Sequence, residues 1–266
     1  MWHGLVMAIL ACGCGRVDFT PSARGDADAA SQLDGSNGTQ ASIMTGCALH
    51  LPMDEASWVG EGAVIDTCSG FRGTAGGNAS SATDPVRGTV GNFVGGTSCV
   101  TIPDDPVLRG ATQMTISAWI RPAQLSPNSF GVVAKRTDFT VNSEYAAFIW
   151  ADSDGAGTAN QLYFDIDTQR APDDLMVYPN NAWHQFTVVY DGGTQSALTY
   201  VDGAPSKTLQ EPASITPPAV EPDLAIGCLP LNGPAQAFVG QLDEVVIWNR
   251  ALTAADVATW YSQTVK

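Results

Sequence analysis

Two aspartates, Asp165 and Asp167, stand two residues apart in the run Leu162-Tyr163-Phe164-Asp165-Ile166-Asp167. On a strand, alternate residues share a face and lie roughly 6.5–7 Å apart along the backbone. That separation overlaps the spacing of carboxylate pairs that cleave glycosidic bonds, so hydrolysis is one chemistry these residues allow. The plainer reading is a solvated strand face, since Leu162, Phe164 and Ile166 alternate with Tyr163, Asp165 and Asp167. Asp152-Ser153-Asp154-Gly155 opens like a calcium loop but lacks the distal bidentate glutamate, and reads better as a solvated hairpin. Histidine occurs three times, at 3, 50 and 184, which leaves little material for a His-based site. No Ser-His-Asp order, His-rich zinc pattern or phosphate-cradling Gly-rich loop stands out.

The elements that must position these groups are written in the composition. Of 266 residues, 27 are acidic and 12 basic, a formal net charge of -15. Such a surface repels phosphate backbones and anionic bilayers, which excludes nucleic acid as an expected partner. It suits solubility, and it can supply oxygen ligands to calcium. Only 15% of residues are charged, while 27 glycines and 16 prolines punctuate the chain. That is the composition of many short strands joined by turns.

Leu5-Val6-Met7-Ala8-Ile9-Leu10-Ala11 is a short apolar run ending at Cys12. It is too short to span a bilayer as a helix and fits a signal-peptide core. Ile9-Leu10-Ala11-Cys12 resembles the lipobox of bacterial lipoproteins, which makes Cys12 the expected lipidation site; Cys14 offers a less apolar match. Met1-Trp2-His3-Gly4 departs from the pattern, having no Lys or Arg. Gly13 rather than Asp follows Cys12, and the resemblance then implies export to the outer membrane or cell surface, with the lipid anchor as the only membrane contact. Residues 16–45 are poor in large apolar side chains and read as a flexible linker. Arg24-Gly25-Asp26 within it is a three-residue match to an adhesion motif, for which chance is the better account.

From Cys47 onward the sequence alternates in short runs. Met114-Thr115-Ile116-Ser117-Ala118-Trp119-Ile120 has the period of a half-buried strand. Gly131–Ala134, Tyr145–Trp150, Leu162–Asp167, Trp183–Tyr190, Ala197–Val201, Leu224–Gly227 and Gly240–Trp248 follow as strands, with Asp191-Gly192-Gly193 and Asp202-Gly203 as turns. Only the end reads as helix: Thr253 and Asp256 form a capping-box start, and Val257, Trp260 and Tyr261 follow at helical spacing.

Four segments carry a family resemblance. They are Ala48-Leu49-His50-Leu51-Pro52-Met53-Asp54-Glu55, Met114–Pro122, Trp183–Gly192 closed by Tyr200-Val201-Asp202-Gly203, and Phe238–Thr253. In this order they resemble the laminin G-like domains of the concanavalin A-like superfamily, over residues 47 to 264. The resemblance implies an all-β fold, a two-sheet antiparallel jelly-roll sandwich with a short C-terminal helix. The expected organisation is 1–15 export segment, 16–45 linker and 46–266 laminin G-like domain.

The superfamily holds lectins, enzymes and adhesion modules, so the fold alone does not set the function. Its hydrolases carry Glu-x-Asp-x-x-Glu, whereas Tyr163 and Arg170 stand at the flanking positions here. Its calcium-binding members imply Asp54 and Asp243 as metal ligands, ahead of Glu55 and Glu244, because the first and last strands of the architecture are neighbours. The alternative is that Asp243 and Glu244 bond nearby backbone and fix the strand edge. Trp119, Trp183 and Trp248 are expected to fill the space between the sheets. His184 is expected to play a structural or surface role. Tyr145, Trp150 and Tyr178 would stack on sugar rings if exposed.

Six cysteines, less Cys12 and Cys14, leave Cys47, Cys68, Cys99 and Cys228, an even count that suggests two disulfides in an exported domain. Three pairings are possible; Cys47 with Cys68 and Cys99 with Cys228 is preferred over the others. The expected function is a surface-tethered, non-catalytic module binding carbohydrate or glycoprotein, with calcium as a candidate cofactor. The alternatives are a structural or adhesion lipoprotein that binds another extracellular protein, and a glycoside hydrolase.

Overall fold

The computed structural model describes residues 43–110, 112–123, 130–138, 143–150, 161–166, 169–176, 181–230 and 236–266; at 143, 150, 161 and 169–176 only the backbone is described. In chain order the first strands are β1 (Cys47–Leu51), β2 (Val64–Ile65), β3 (Arg72–Gly76), β4 (Ser80–Asp84), β5 (Gly88–Val94), β6 (Cys99–Ile102), β7 (Gln113–Pro122), β8 (Phe130–Arg136) and β9 (Ser143–Trp150). They continue as β10 (Gln161–Ile166), β11 (Gln169–Met176), β12 (His184–Asp191), β13 (Ser196–Val201), β14 (Ala204–Gln210), β15 (Leu224–Ile226), β16 (Cys228–Leu229), β17 (Gln236–Ala237) and β18 (Val239–Trp248). One helix, α1 (Ala254–Thr264), follows.

The strands form two sheets stacked as a sandwich, the jelly-roll architecture that the family resemblance implies. The first sheet runs β14-β13-β12-β7-β18-β5-β4, with β1 also paired to β18. The second runs β11-β10-β9-β8-β15-β6-β3-β2, with β16 and β17 joined at one side. Pairing is antiparallel apart from the contact of β17 with β8. Between the sheets lies the main core, to which β7 contributes Met114, Ile116, Ala118 and Ile120, and β10 contributes Leu162, Phe164 and Ile166.

The other face of β7 presents Thr115, Ser117 and Trp119 to the outside of the first sheet, and α1 covers that face. Trp248 and Trp260 meet edge to face at 5.5 Å in a second apolar cluster beneath the helix, with Val189, Val246 and Val257. Thr264 Oγ1 accepts from Trp119 Nε1 and from Gln185 Nε2, both at 2.9 Å, so these two donors under the helix find a partner there. This corrects the expectation that Trp119, Trp183 and Trp248 fill the space between the sheets. Trp119 and Trp248 are buried on the opposite side, and Trp183 is only half-buried.

A bulge makes this arrangement possible. β18 pairs with β5 through Gly240–Leu242 and with β1 through Val245–Trp248, and between the two Glu244 takes φ 49°. The extra residue restores the alternation, so Leu242, Val245 and Ile247 enter the main core while Asp243, Val246 and Trp248 face the helix. At the Asp202-Gly203 turn both residues have positive φ, and a Cβ on Gly203 would stand 2.8 Å from Tyr261, so glycine lets the hairpin close against α1.

The disulfides join Cys47 to Cys68 and Cys99 to Cys228, with Cα separations of 5.9 and 5.2 Å. The helix starts as expected, Thr253 and Asp256 bonding reciprocally at 3.1 Å.

Removing the helix's packing should cost more than removing its cap. Trp260→Ala is expected to lower the unfolding free energy by about 3–5 kcal/mol and Thr253→Ala by about 1 kcal/mol, measured by urea titration. Equal losses would mean that the cap, not the packing, holds α1.

Candidate binding cleft

Where the β4–β5 turn, the start of β12 and the end of α1 meet, the outer face of the first sheet opens into a cleft of about 370 Å3. Its walls include Trp119, Trp183 and Tyr261, together with the turn residues Pro85, Val86 and Arg87. Arg121, Asp202 and Lys266 also line it.

Asp84 sets the geometry. Its side chain is fully buried at the end of β4, and its Oδ1 accepts the backbone N–H groups of Val86 and Arg87, each at 2.9 Å, which fixes the turn. The same oxygen accepts Trp183 Nε1 at 3.2 Å, and Oδ2 pairs with Arg121 Nη1. Arg121 Nε in turn donates to the carbonyl and the side-chain oxygen of Asn181, at 2.8 and 2.9 Å. One carboxylate therefore positions the turn, an indole and a guanidinium. Burial opposes its ionisation, but the bonds from Arg87, Val86 and Trp183 and the charge of Arg121 outweigh burial and hold its pKa below the usual carboxylate value.

Arg87 is the central side chain. Its guanidinium carbon lies 4.2 Å from the Trp119 ring centre and 5.4 Å from that of Trp183, and Tyr261 stacks on Trp119 at 5.6 Å. Arg87 Nε donates to Asp243 Oδ2 at 2.6 Å, with both side chains essentially inaccessible. Lys266 Nζ donates to the Arg87 carbonyl at 2.8 Å and stands 3.6 Å from Asp243. Two buried atoms have no hydrogen-bond partner, Arg87 Nη2 and Asp243 Oδ1. Burial pushes the Asp243 carboxyl up to about 6 despite the pull of Arg87, with the Glu244 charge adding to the rise.

The metal candidates go elsewhere. β1 and β18 are neighbours, as the architecture implies, but Asp54 is exposed while Asp243 faces a guanidinium and an ammonium. Glu55 accepts from Trp58 Nε1 and from the Ile65 N–H, and Glu244 meets His50 Nε2 at 2.7 Å. Among the described residues no group of three or more His, Cys, Asp or Glu is placed to hold a metal ion. Asp54 and Asp243 therefore do not fit a calcium ion.

Asp165 is buried, 3.1 Å from Arg136 across the second sheet. Tyr145 is also buried and donates its hydroxyl to the Leu108 carbonyl, which corrects its reading as a sugar-stacking ring. His184 pairs with Asp202 at 2.9 Å beside the cleft. Cys12, Asp167, Tyr178, Asp152–Gly155 and the Trp150 side chain lie outside the described residues. Asp84, Arg87, Arg121, Tyr261 and Lys266 carry no motif. The one legible signal was the parity of β7, which sends Trp119 away from Met114, Ile116 and Ala118.

The family model described as the concanavalin A-like lectin/glucanases superfamily, a laminin G type, matches residues 94–258. The chain belongs to this superfamily. No curated protein matches it. Among solved structures, it is similar to domain 4 of AbnA, an extracellular arabinanase from Geobacillus stearothermophilus solved with arabinotriose. That likeness has 18% identity and a TM-score of 0.60, and covers 83% of this chain and 98% of the other. It is also similar to the binding domain of botulinum neurotoxin DC, solved with rat synaptotagmin II, at 12% identity and a TM-score of 0.61, over 84% of this chain and 52% of that one. The laminin G-like chain thus spans about half the length of the neurotoxin domain.

The raised pKa of Asp243 has a stability consequence. From the ordinary carboxyl value of 3.8 to about 6, the folded state binds a proton that the unfolded state has lost, so this group's contribution falls as pH rises through that window. The stability of the protein relative to Asp243→Asn is expected to drop by about 2 kcal/mol between pH 4 and pH 6.5, read from urea melts at each pH. A flat difference would place the proton elsewhere.

Proposed function

We propose that this laminin G-like chain is a non-catalytic carbohydrate-binding module, tethered to a membrane through a lipid on Cys12, with the cleft at Trp183 as its sugar site. The observation that carries the reading is the cleft itself: aromatic rings beside fixed N–H donors, held in place by Asp84 before any ligand arrives. Aromatic faces bury the C–H surface of a sugar ring while directed polar groups select its hydroxyls. Preorganisation spares the site the cost of ordering its side chains on binding. The likeness to an arabinanase domain solved with arabinotriose supports carbohydrate as the ligand class. The burial of Asp165 against Arg136 supports binding over hydrolysis. The misfit of Asp54 and Asp243 to calcium supports binding that does not depend on that ion.

A protein ligand is the second reading. Val86 and Val265, both about half exposed, border the cleft and offer apolar surface, and the neurotoxin domain was solved with a protein partner.

The full-length protein on a broad glycan array, with calcium and again with chelator, is expected to bind in both conditions. Trp183→Ala is expected to weaken that binding at least about tenfold while leaving the thermal midpoint within a few degrees. A folded protein silent on every glycan would move the assignment to a protein partner. In the producing cell, Cys12→Ser is expected to shift the protein from the membrane to the soluble fraction; unchanged fractionation would remove the lipid tether from the proposal.

A further inference from the structure

The charge of the cleft narrows the ligand class, an inference that rests on reading the cleft as a sugar site. The protein has 12 basic residues against 27 acidic ones, yet three of the basic residues, Arg87, Arg121 and Lys266, line this one cleft. Their counter-charges stand behind them. The side chains of Asp84 and Asp243 are fully buried, whereas Arg121 and Lys266 keep 24% and 37% of theirs exposed. The carboxylates neutralise the cations from beneath, and an entering ligand meets the cations. Asp202, the one acidic residue lining the cleft, is engaged by His184. A neutral saccharide needs acceptors for its hydroxyl protons, and here Asp84 spends both oxygens on the protein's own donors, while Asp243 gives one to Arg87 and keeps the other buried beneath the cleft. One donor is left over. Arg87 Nη2 is buried without a partner, so the protein answers this guanidinium only in part.

We propose that the cleft binds a saccharide carrying a carboxylate, such as a uronic or sialic acid residue, with its ring against Trp183 and its carboxylate directed to Arg121 and Lys266, above the buried charge of Arg87. A guanidinium meets a planar carboxylate with paired N–H donors, and the apolar walls lower the local dielectric and strengthen the attraction. The aromatic walls favour a ring-bearing anion over a bare one. Everywhere else the net charge of -15 works against such a ligand, so the selectivity must be local.

A pH dependence follows from the groups around Asp243. It faces Arg87 from the β4–β5 turn, Lys266 beyond α1, Trp119 across from β7 and Glu244 next to it in β18. When Asp243 takes up a proton, Arg87 and Lys266 lose their internal counter-ion and attract an anionic ligand more strongly.

The test is calorimetry on the full-length protein with two matched pairs: trigalacturonate against its methyl ester, and 3′-sialyllactose against lactose. At least one acidic member is expected to bind about tenfold or more tightly than its neutral match, more weakly at high salt, and more tightly at pH 5 than at pH 7.5. Which pair responds distinguishes a uronate from a sialate source. Lys266→Met is expected to weaken the acidic ligand about fivefold or more, and its neutral match less, so that the preference for the acid falls. Equal affinity for acidic and neutral members, both lost in Trp183→Ala, would overturn the carboxylate and leave the sugar site standing. Binding that survives Trp183→Ala would move the site off this cleft. Silence of both pairs, with glycans bound on the array, would overturn the carboxylate alone, and silence in both assays would overturn the sugar reading with it.

Discussion

A guanidinium held between two indoles and bonded to a buried carboxylate is costly to desolvate, and it constrains everything packed around it. Arg87 and Asp243 are 156 residues apart in sequence and meet at 2.6 Å with almost no access to water. Removing either partner leaves a buried charge, a loss of about 3–5 kcal/mol in comparable pairs. The pair persists because three separate devices converge on it. The Glu244 bulge turns Asp243 toward the helix, the Asp84 carboxylate fixes the turn that carries Arg87, and α1 delivers Tyr261 and, just beyond its end, Lys266. The cleft is what remains open at the margin of this assembly.

The sandwich was largely legible in the sequence because its signals are local. Met114-Thr115-Ile116-Ser117-Ala118-Trp119-Ile120 declares a strand by alternation alone, and Asp202-Gly203 and Thr253-Ala254-Ala255-Asp256 declare a turn and a cap by residue type. The misplaced tryptophans came from reading hydrophobic size ahead of parity. The central strands of the first sheet, β7 and β12, are buried on both faces, and large aromatic residues serve the second. In β7 the main core takes Met114, Ile116, Ala118 and Ile120, which left Trp119 only the helix side.

The cleft was less legible because its members come from five distant segments and no single motif gathers them. Nothing about Pro85-Val86-Arg87 announces that its arginine will lie over tryptophans at 119 and 183. The carboxylates that drew attention by pattern, Asp165 and Asp243, are each bonded to an arginine inside the fold. An isolated sequence shows that a carboxylate exists and which way its strand points; it does not show whether a cation has already claimed it. The family resemblance could not supply the missing step either, since it places strands and says little about the side chains that later evolved on their outer faces.

The first disulfide has a mechanical consequence. Among the described residues the Ile43 carbonyl accepts from Trp248 Nε1 and Arg250 Nη2, and β1 joins the first sheet at Cys47, covalently tied to Cys68. A pull on the preceding segment would first strain the hydrogen bonds at Ile43 and Thr45, and would then reach Cys47, where part of the load passes through the sulfur bridge to residue 68. β1, hydrogen-bonded along β18, would be loaded in shear and shielded from being peeled away one bond at a time. The sandwich is therefore reinforced covalently at the place where its first strand begins.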